Sequence, residues 1–465
     1  MFRISDHQLA RNCQGFSRRD FLKVGSLGVG GLSLPQLLAA KDMGLPVTGK
    51  SVVLLFLQGG APHIELFDPK MTAPSEYRSV TGEVPTALPG VTFGGTFPKM
   101  AKMADRMAVV RSFGSKNGGH TYESVTTGRN DLKATMGAIY SRIVGTNHAG
   151  TGMPTNVLVR PEAIEKGLKL GSNFETKALP TLTQTGSLGS GVSAFDPAGS
   201  GDVQQDMEMR IEPDRLTDRK GLLSRLDAIR KEVDASGNMD SVDRFQQQAF
   251  DIISKGIGNA FDLTKEDPRT LSMYDTRSIF DAKKLQKWGD MRRVSNHLGH
   301  QLLMARRLCE AGCGFVTVSD CGWDYHANNN SPKNMTGIYP MGRQVDHAVS
   351  AFLQDVQERG LSEDILLIVT SEMGRSPKIN GGGGRDHYGD LTSLVFAGGG
   401  LPMGQVIGKS DSFAAKPATF GYEPKHLLGT VMHTLFDIGE LRLMDGLPAD
   451  LMALINNLEP IRELV

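Results

Sequence analysis

No apolar run in this chain of 465 residues approaches the ~18 that a membrane-spanning helix needs, so no stable membrane anchor is expected. Neither sign of charge is in excess: Lys plus Arg and Asp plus Glu are both 51. No global positive field exists to hold nucleic acid. Cysteine is scarce, at four, with no CxxC pair, which argues against a disulfide scaffold. Cys309 and Cys313, one helical turn apart, read as core residues at a helix end. No repeat of 20–50 residues is visible, and no Gly-x-Ser-x-Gly elbow follows a strand, which disfavours a Ser-His-Asp esterase. What is plentiful is glycine, 55 residues or about 12% against a usual ~7%. It has no Gly-X-Y period, so it marks tight turns and close backbone approaches. The 39% apolar and 22% charged fractions suffice for a sizeable core and exclude a wholly disordered chain. The length suits two or three units, or one large α/β domain with insertions.

Ser17-Arg18-Arg19-Asp20-Phe21-Leu22-Lys23 matches the twin-arginine export pattern at every position. The mildly apolar, glycine-bearing stretch from Val24 to Ala40 that follows reads as the apolar part of a signal. Residues 1–40 are therefore expected to be an address, with the twin-arginine translocase as partner and the periplasm or exterior as destination. They carry five Lys/Arg and two Asp/Glu, so the remainder holds 46 against 49, a net charge of −3.

Beyond that segment, Ser51–Leu57, Met107–Ser112, Gly314–Ser319, Asp364–Thr370 and Leu391–Ala397 read as strands. Thr121–Gly128, His297–Gly312 and Lys425–Ile438 read as helices, as does the stripe Met341, Val345, Val349, Phe352 and Val356. Buried strands alternating with amphipathic helices predict an α/β fold: a mostly parallel sheet covered on both faces. Residues 170–215 read as long loops. Leu222, Leu223, Leu226, Ile229 and Val233 form a helical stripe within 216–262. The region of about 170–290 is thus expected to be a loop-rich and helical insertion or cap in a domain spanning 41–465.

Chemistry in open α/β sheets collects beyond the carboxyl ends of strands. Four polar clusters follow strands here. They hold His63, Glu65 and Asp68; Asp324 and His326; Glu372 and Arg375; and Arg385, Asp386 and His387. Each alone is a weak signal, but together they set imidazoles beside carboxylates where such folds put ligands. Mixed imidazole and carboxylate donors suit Zn²⁺ or Mn²⁺, and all-oxygen sites Mg²⁺ or Ca²⁺. One or two such ions can bind a phosphoryl or sulfuryl group and activate a nucleophile.

Four segments carry a family resemblance: Gly59-Gly60-x-Pro62-His63-Ile64-Glu65-x-Phe67-Asp68-Pro69-Lys70, Gly322-Trp323-Asp324-x-His326, Ser371-Glu372-x-Gly374-Arg375 and Gly384-Arg385-Asp386-His387. Together they resemble the twin-arginine-exported family called domain of unknown function 1501, grouped with the alkaline phosphatase–sulfatase superfamily. The resemblance implies an alkaline phosphatase-like α/β/α sandwich that hydrolyses phosphate or sulfate esters with bound metal. It makes Glu372 the acid of the superfamily's strand–Thr-Ser-acid motif, although Met373 departs from that pattern. It makes His387, with Asp386 beside it, the later histidine ligand, and pairs Asp324 with His326. Gln58-Gly59-Gly60 stand where the first-strand acid belongs, leaving His63, Glu65 or Asp68 to substitute. Thr127-Gly128 match the motif that closes the nucleophile helix, but the residue ten before Gly128 is Gly118, which cannot attack. Thr121 is the preferred nucleophile among the nearby Ser115, Thr121 and Ser124, with a metal-bound water as the alternative and His120 as ligand, acid, base or phosphoryl acceptor. No Cys-x-Pro-x-Arg stretch exists for a formylglycine.

Two readings follow. In the first, the chain is an exported metal-dependent hydrolase of a small anionic ester or a sulfated or phosphorylated glycan. Its metal ligands come from His63, Glu65, Asp68, Asp324, His326, Glu372, Asp386 and His387, and Arg375 and Arg385 clamp the anion. In the second, which the glycine at 118 favours, it is a non-catalytic metal- or glycan-binding surface or assembly protein on the same fold.

Overall fold

Ser51–Gln58 alternates side chains between two faces, and both faces are apolar. Val53, Leu55 and Leu57 enter one core, while Val52, Leu54 and Phe56 enter the other. A strand buried on both sides belongs in the middle of a sheet between two layers, and that is where this one lies in the computed structural model of the chain. The structure describes residues 44–165, 167–198 and 257–465. The twin-arginine segment and the stripe from Leu222 to Val233 lie outside the described residues.

The strands in chain order are β1 (Ser51–Gln58), β2 (Glu83–Pro85), β3 (Thr92–Gly94), β4 (Ala108–Val110), β5 (Asn156–Val159), β6 (Phe315–Cys321), β7 (Ile365–Thr370), β8 (Gly374–Arg375), β9 (His387–Tyr388), β10 (Leu394–Gly398) and β11 (Gln405–Ile407). Seven of them form one sheet in the order β11-β4-β10-β7-β1-β6-β5. All its pairings are parallel except those of β10, which runs against both β7 and β4. The mixed α/β architecture with a mostly parallel sheet is therefore as the sequence predicts. The reversed direction of β10 is not legible in its apolar run.

Helices Leu298–Glu310 and Ile338–Glu358 pack on one face, and Met136–Val144 and Pro424–Leu435 on the other. Each fully buried Val, Leu or Phe contributes about 1.5–3 kcal/mol, so these two cores are the main source of stability. Cys309, Cys313 and Cys321 are buried and free. Among the described residues, no helix is long and apolar enough to cross a membrane.

Two local differences from expectation matter for function. The helix expected over Thr121–Gly128 is only Glu123–Thr126, so His120 and Thr121 lie on the loop before it. The stretch expected to be loop from residue 170 contains a helix, Phe174–Ala178. Asn173 caps it by accepting from Glu175 N, and Thr176 completes a capping box.

The register sets the stage for a site. Gln58 of β1 pairs with Cys321 of β6, and Phe56 with Thr370 of β7. β1 and β6 thus end together and β7 two residues short of them, and the loops starting at Gly59, Gly322 and Ser371 leave the same edge of the sheet.

Candidate metal centre

The three loops are fastened to one another by hydrogen bonds. Gly59 N donates to Glu372 Oε1 at 2.9 Å, Ala61 N to Ser371 Oγ at 3.0 Å, and Trp323 N to Gln58 O at 3.0 Å. Gly59 sits at φ +116, where a Cβ would lie 2.7 Å from Asp324 N. Only glycine lets the first loop lie against the second.

This packing buries Asp324 and surrounds it with nitrogen. His120 Nε2 is 3.3 Å from Asp324 Oδ2, and His326 Nε2 and His387 Nε2 are 3.2 and 3.8 Å from Oδ1. Arg375 also donates to Oδ1. The second nitrogen of each ring faces an oxygen. His120 Nδ1 is 3.3 Å from Glu372 Oε1, His326 Nδ1 is 2.9 Å from Asp386 Oδ1, and His387 Nδ1 is 3.1 Å from Gly118 O. All three imidazoles therefore anchor Nδ1 and turn Nε2 towards one carboxylate. The rings of His120 and His387 meet edge to face at 4.3 Å, and Phe174 stacks on His120 at 3.8 Å.

The electrostatics follow from this enclosure. Burial opposes the charge on Asp324, but Arg375, His120 and His326 outweigh it and hold the carboxyl far below its usual range. Burial also opposes protonation of His120, yet Asp324 and Glu372 raise its pKa to about 9. His387 is lowered to about 4 by burial and then by Arg375 and His120.

The donors fit a divalent cation. Donor atoms of His120, Asp324 and His387 all lie within 4.8 Å of one another, and His387 Nε2 is buried without a hydrogen-bond partner. Metal-ligating histidines characteristically give their other ring nitrogen to a carboxylate or carbonyl. Here Glu372, Asp386 and Gly118 O supply those oxygens.

The structure distributes the remaining expected residues differently from the sequence reading. Glu372 accepts from Gly59 N and Ser371 Oγ and faces His120; it orients a ring. Asp386 does the same for His326 while accepting from Asn380 Nδ2 at 3.1 Å. Arg375 is fully buried and gives three further donors to Gly60 O, Gly59 O and Arg385 O, so it fixes Asp324 within the fold. Arg385, expected as a clamp, is an internal strut. Its guanidinium is used by Glu65, Ser376 O, Pro377 O, Tyr77 O and Arg78 O.

Nor do His63, Glu65 and Asp68 take the place of the first-strand acid. Burial holds His63 down to a pKa of about 4, with its Nε2 on Ala414 O at 2.9 Å. Glu65 pairs with Arg385 and accepts from Ser79 Oγ at 2.7 Å. Asp68 faces Lys70, Arg111 and Ser410. His63 and Glu65 lie on the short buried helix His63–Leu66 and Asp68 follows it, 4% exposed. Thr121 is exposed and lines a separate surface cavity, so it is not set for attack in the cluster. His120 is central.

Three contributors were not expected from the sequence. Phe174 covers His120, and the capping box at Asn173 is the one sequence signal that marks its helix. Its buried neighbour Glu175 receives Gly322 N at 2.7 Å, and burial lifts its pKa to about 8. Asp290 feels Asp324, His326, Arg375 and His120; burial and then Asp324 raise it to about 6, and its Oδ2 has no hydrogen-bond partner. Nothing local in the sequence singles Asp290 out.

The chain belongs to the family described as "Protein of unknown function (DUF1501)", which matches residues 49–465. No curated protein has a sequence that matches it. Among solved structures it is similar to the PsFucS1 sulfatase from Pseudoalteromonas sp., with a TM-score of 0.35 and 12% identity over 88% of this chain and 71% of that one. It is similar to Ps i-CgsB with a TM-score of 0.34 and 9% identity over 88% and 77%. The phosphonate monoester hydrolase SpPMH from Silicibacter pomeroyi gives 0.30 and 10% over 83% and 73%. Similarity at this level leaves function to be argued from the site itself.

Proposed function

We propose that the chain is a metal-dependent hydrolase of phosphate or sulfate esters, exported by the twin-arginine route to the periplasm or beyond. One observation carries the reading: three imidazoles, each anchored through Nδ1, direct Nε2 at the single buried carboxylate of Asp324. His120, Asp324, His326 and His387 would hold the cation, and imidazole-rich donors favour Zn²⁺ or Mn²⁺ over Mg²⁺ or Ca²⁺. A bound cation would polarise an ester oxygen and lower the pKa of water. The chain's own residues do the rest. Glu372, Asp386 and Gly118 O keep the rings in one tautomer, Arg375 fixes the Asp324 carboxylate, and Phe174 shields His120. Asp290, whose Oδ2 is buried without a hydrogen-bond partner, would take or give a proton.

A second reading is a non-catalytic metal-binding protein on the same fold. Gly118 favours it, because that position offers only a carbonyl, already bonded to His387.

The test is metal analysis of the purified protein with a screen of phosphate monoester, phosphodiester and sulfate ester substrates, repeated on Asp324→Asn. The hydrolase reading expects about one divalent ion per chain and a turnover that Asp324→Asn abolishes. Stoichiometric metal without turnover of any ester would select the second reading, and absence of both metal and turnover would overturn the two together.

A further inference from the structure

Beside the candidate centre lies a surface cavity of about 460 Å³, within the range of roughly 300–1,000 Å³ that small-ligand sites occupy. Its wall is the loop that carries His120. Asn117 lines the cavity and is the neighbour of Gly118, whose carbonyl holds His387; Thr121 lines it and is the neighbour of His120. Consecutive Cα atoms are about 3.8 Å apart, so cavity and centre share a wall one residue thick. The Asn117 side chain spans that wall. Its amide donates to Gly119 O at 2.8 Å and Thr121 O at 2.7 Å and accepts from Gly119 N at 3.1 Å. A ligand in the cavity therefore touches the residue that shapes the His120 loop.

The lining contains no apolar side chain at all. Lys116, Arg129 and Lys133 bring three cations, against the two acids Glu123 and Asp131, and the rest are amides and hydroxyls. Among the described residues, Arg129 and Lys133 form no ion pair, and Lys116 reaches only Asp390, at 4.0 Å. All three cations stand in left-handed backbone, at φ 55, 58 and 52, and are three of the nine non-glycine residues described with positive φ. Such conformations are unfavourable for long side chains and are held only where the surrounding structure imposes them. Here they gather on one cavity.

We propose that this cavity is a binding subsite for a hydroxyl-rich ligand bearing anionic ester groups, of the kind an acidic oligosaccharide presents. Amides, hydroxyls and carboxylates match sugar hydroxyls, and the unpaired cations match sulfate or phosphate substituents. A bare polyanion would meet Glu123 and Asp131 with no hydroxyl to offer them. The inference rests on the hydrolase reading for its link to the centre and gives that reading an extended substrate instead of a small one.

Calorimetric titration of the purified full chain tests it. The probes are a sulfated tetrasaccharide, its phosphorylated and unsubstituted counterparts, and inorganic sulfate; the variants are Arg129→Ala/Lys133→Ala and Asp324→Asn. The expected result is that one anionic tetrasaccharide binds at least tenfold more tightly than the unsubstituted one and than inorganic sulfate. The paired variant should lose at least tenfold in affinity, and Asp324→Asn serves only to show which ester turnover belongs to the centre. The sulfated and phosphorylated arms identify the substituent. Equal binding by the paired variant and the parent, or equal binding of substituted and unsubstituted sugar, overturns the subsite. If neither anionic sugar binds but Asp324-dependent ester turnover persists, the subsite fails and the hydrolase stands. If an anionic sugar binds in the expected pattern without metal or turnover, the subsite stands and the hydrolase fails.

Discussion

At the scale of single residues, Asp324 is the pivot: one carboxylate faces three imidazoles and a guanidinium. Its neighbours divide into groups that meet a cation and groups that hold those groups still. Glu372→Gln keeps the shape but weakens the oxygen facing His120 Nδ1. Loss of such a supporting partner costs about 10–100-fold in metal affinity or activity, and competition against a metallochromic chelator should read a drop of that size. Asp386→Asn should act through His326 in the same way, and a variant that binds metal as tightly as the parent would remove Asp386 from that role. The residue types were legible in sequence; their division of labour was not. Asp386 and His387 are adjacent in the chain, yet one supports His326 while the other turns its own Nε2 to Asp324. Spacing cannot separate such roles, because each depends on partners up to 269 residues away, as in His387 to Gly118.

At the scale of elements, the site exists because the neighbouring parallel strands β1, β6 and β7 end at the same edge of the sheet and their loops interlock. Gly59 is the tightest point. A methyl group there meets Asp324 N at 2.7 Å on a backbone of φ +116, so Gly59→Ala must displace the loop that carries Asp324. Thermal unfolding should show a loss above the ~1 kcal/mol typical of a point substitution, together with weakened metal binding. A variant with parent-like melting temperature and metal affinity would contradict the close approach. A second element-level device joins the helices Leu298–Glu310 and Ile338–Glu358. Arg306, 1% exposed, bonds Glu266, Glu310 and Asp355 at 2.7, 2.5 and 2.8 Å. Arg306→Ala leaves Glu266, Glu310 and Asp355 to Arg307, Arg359 and Tyr274 alone and should cost about 1–3 kcal/mol by denaturant unfolding, without touching the centre. The apolar strands and amphipathic helices were readable from periodicity. The helix before which His120 hangs was read too long, as Thr121–Gly128 instead of Glu123–Thr126, and the antiparallel β10 was not readable, since pairing direction is chosen by neighbours and not by the strand's own residues.

At the scale of the whole molecule, burial of acids makes stability depend on pH. Asp320, on the β6 strand between the two cores, accepts from Trp323 Nε1 at 2.8 Å, and burial raises its pKa to about 7. A carboxyl raised in the fold binds its proton more tightly there than in the unfolded chain, so its contribution falls as pH rises from about 4 through about 7. Asp320→Asn removes that dependence. Its stability relative to the parent should therefore improve between pH 4 and pH 8, by on the order of a few kcal/mol. A pH-independent difference in unfolding free energy would refute the assignment.

Composition and periodicity by themselves determined that this chain builds a sheet buried on both faces, because a strand that is apolar on both sides has no other stable place. They also placed histidines and acids after strands, where an α/β fold opens its site. Only the tertiary structure decided which of them meet. Glu65, Asp68 and Arg385 carry the same chemistry as the residues of the centre but are consumed by internal partners, and His63 gives its Nε2 to Ala414 O away from the centre. The reason is physical: a side chain becomes available to a ligand only when nothing closer satisfies it, and what lies closer is set by how distant loops are brought together.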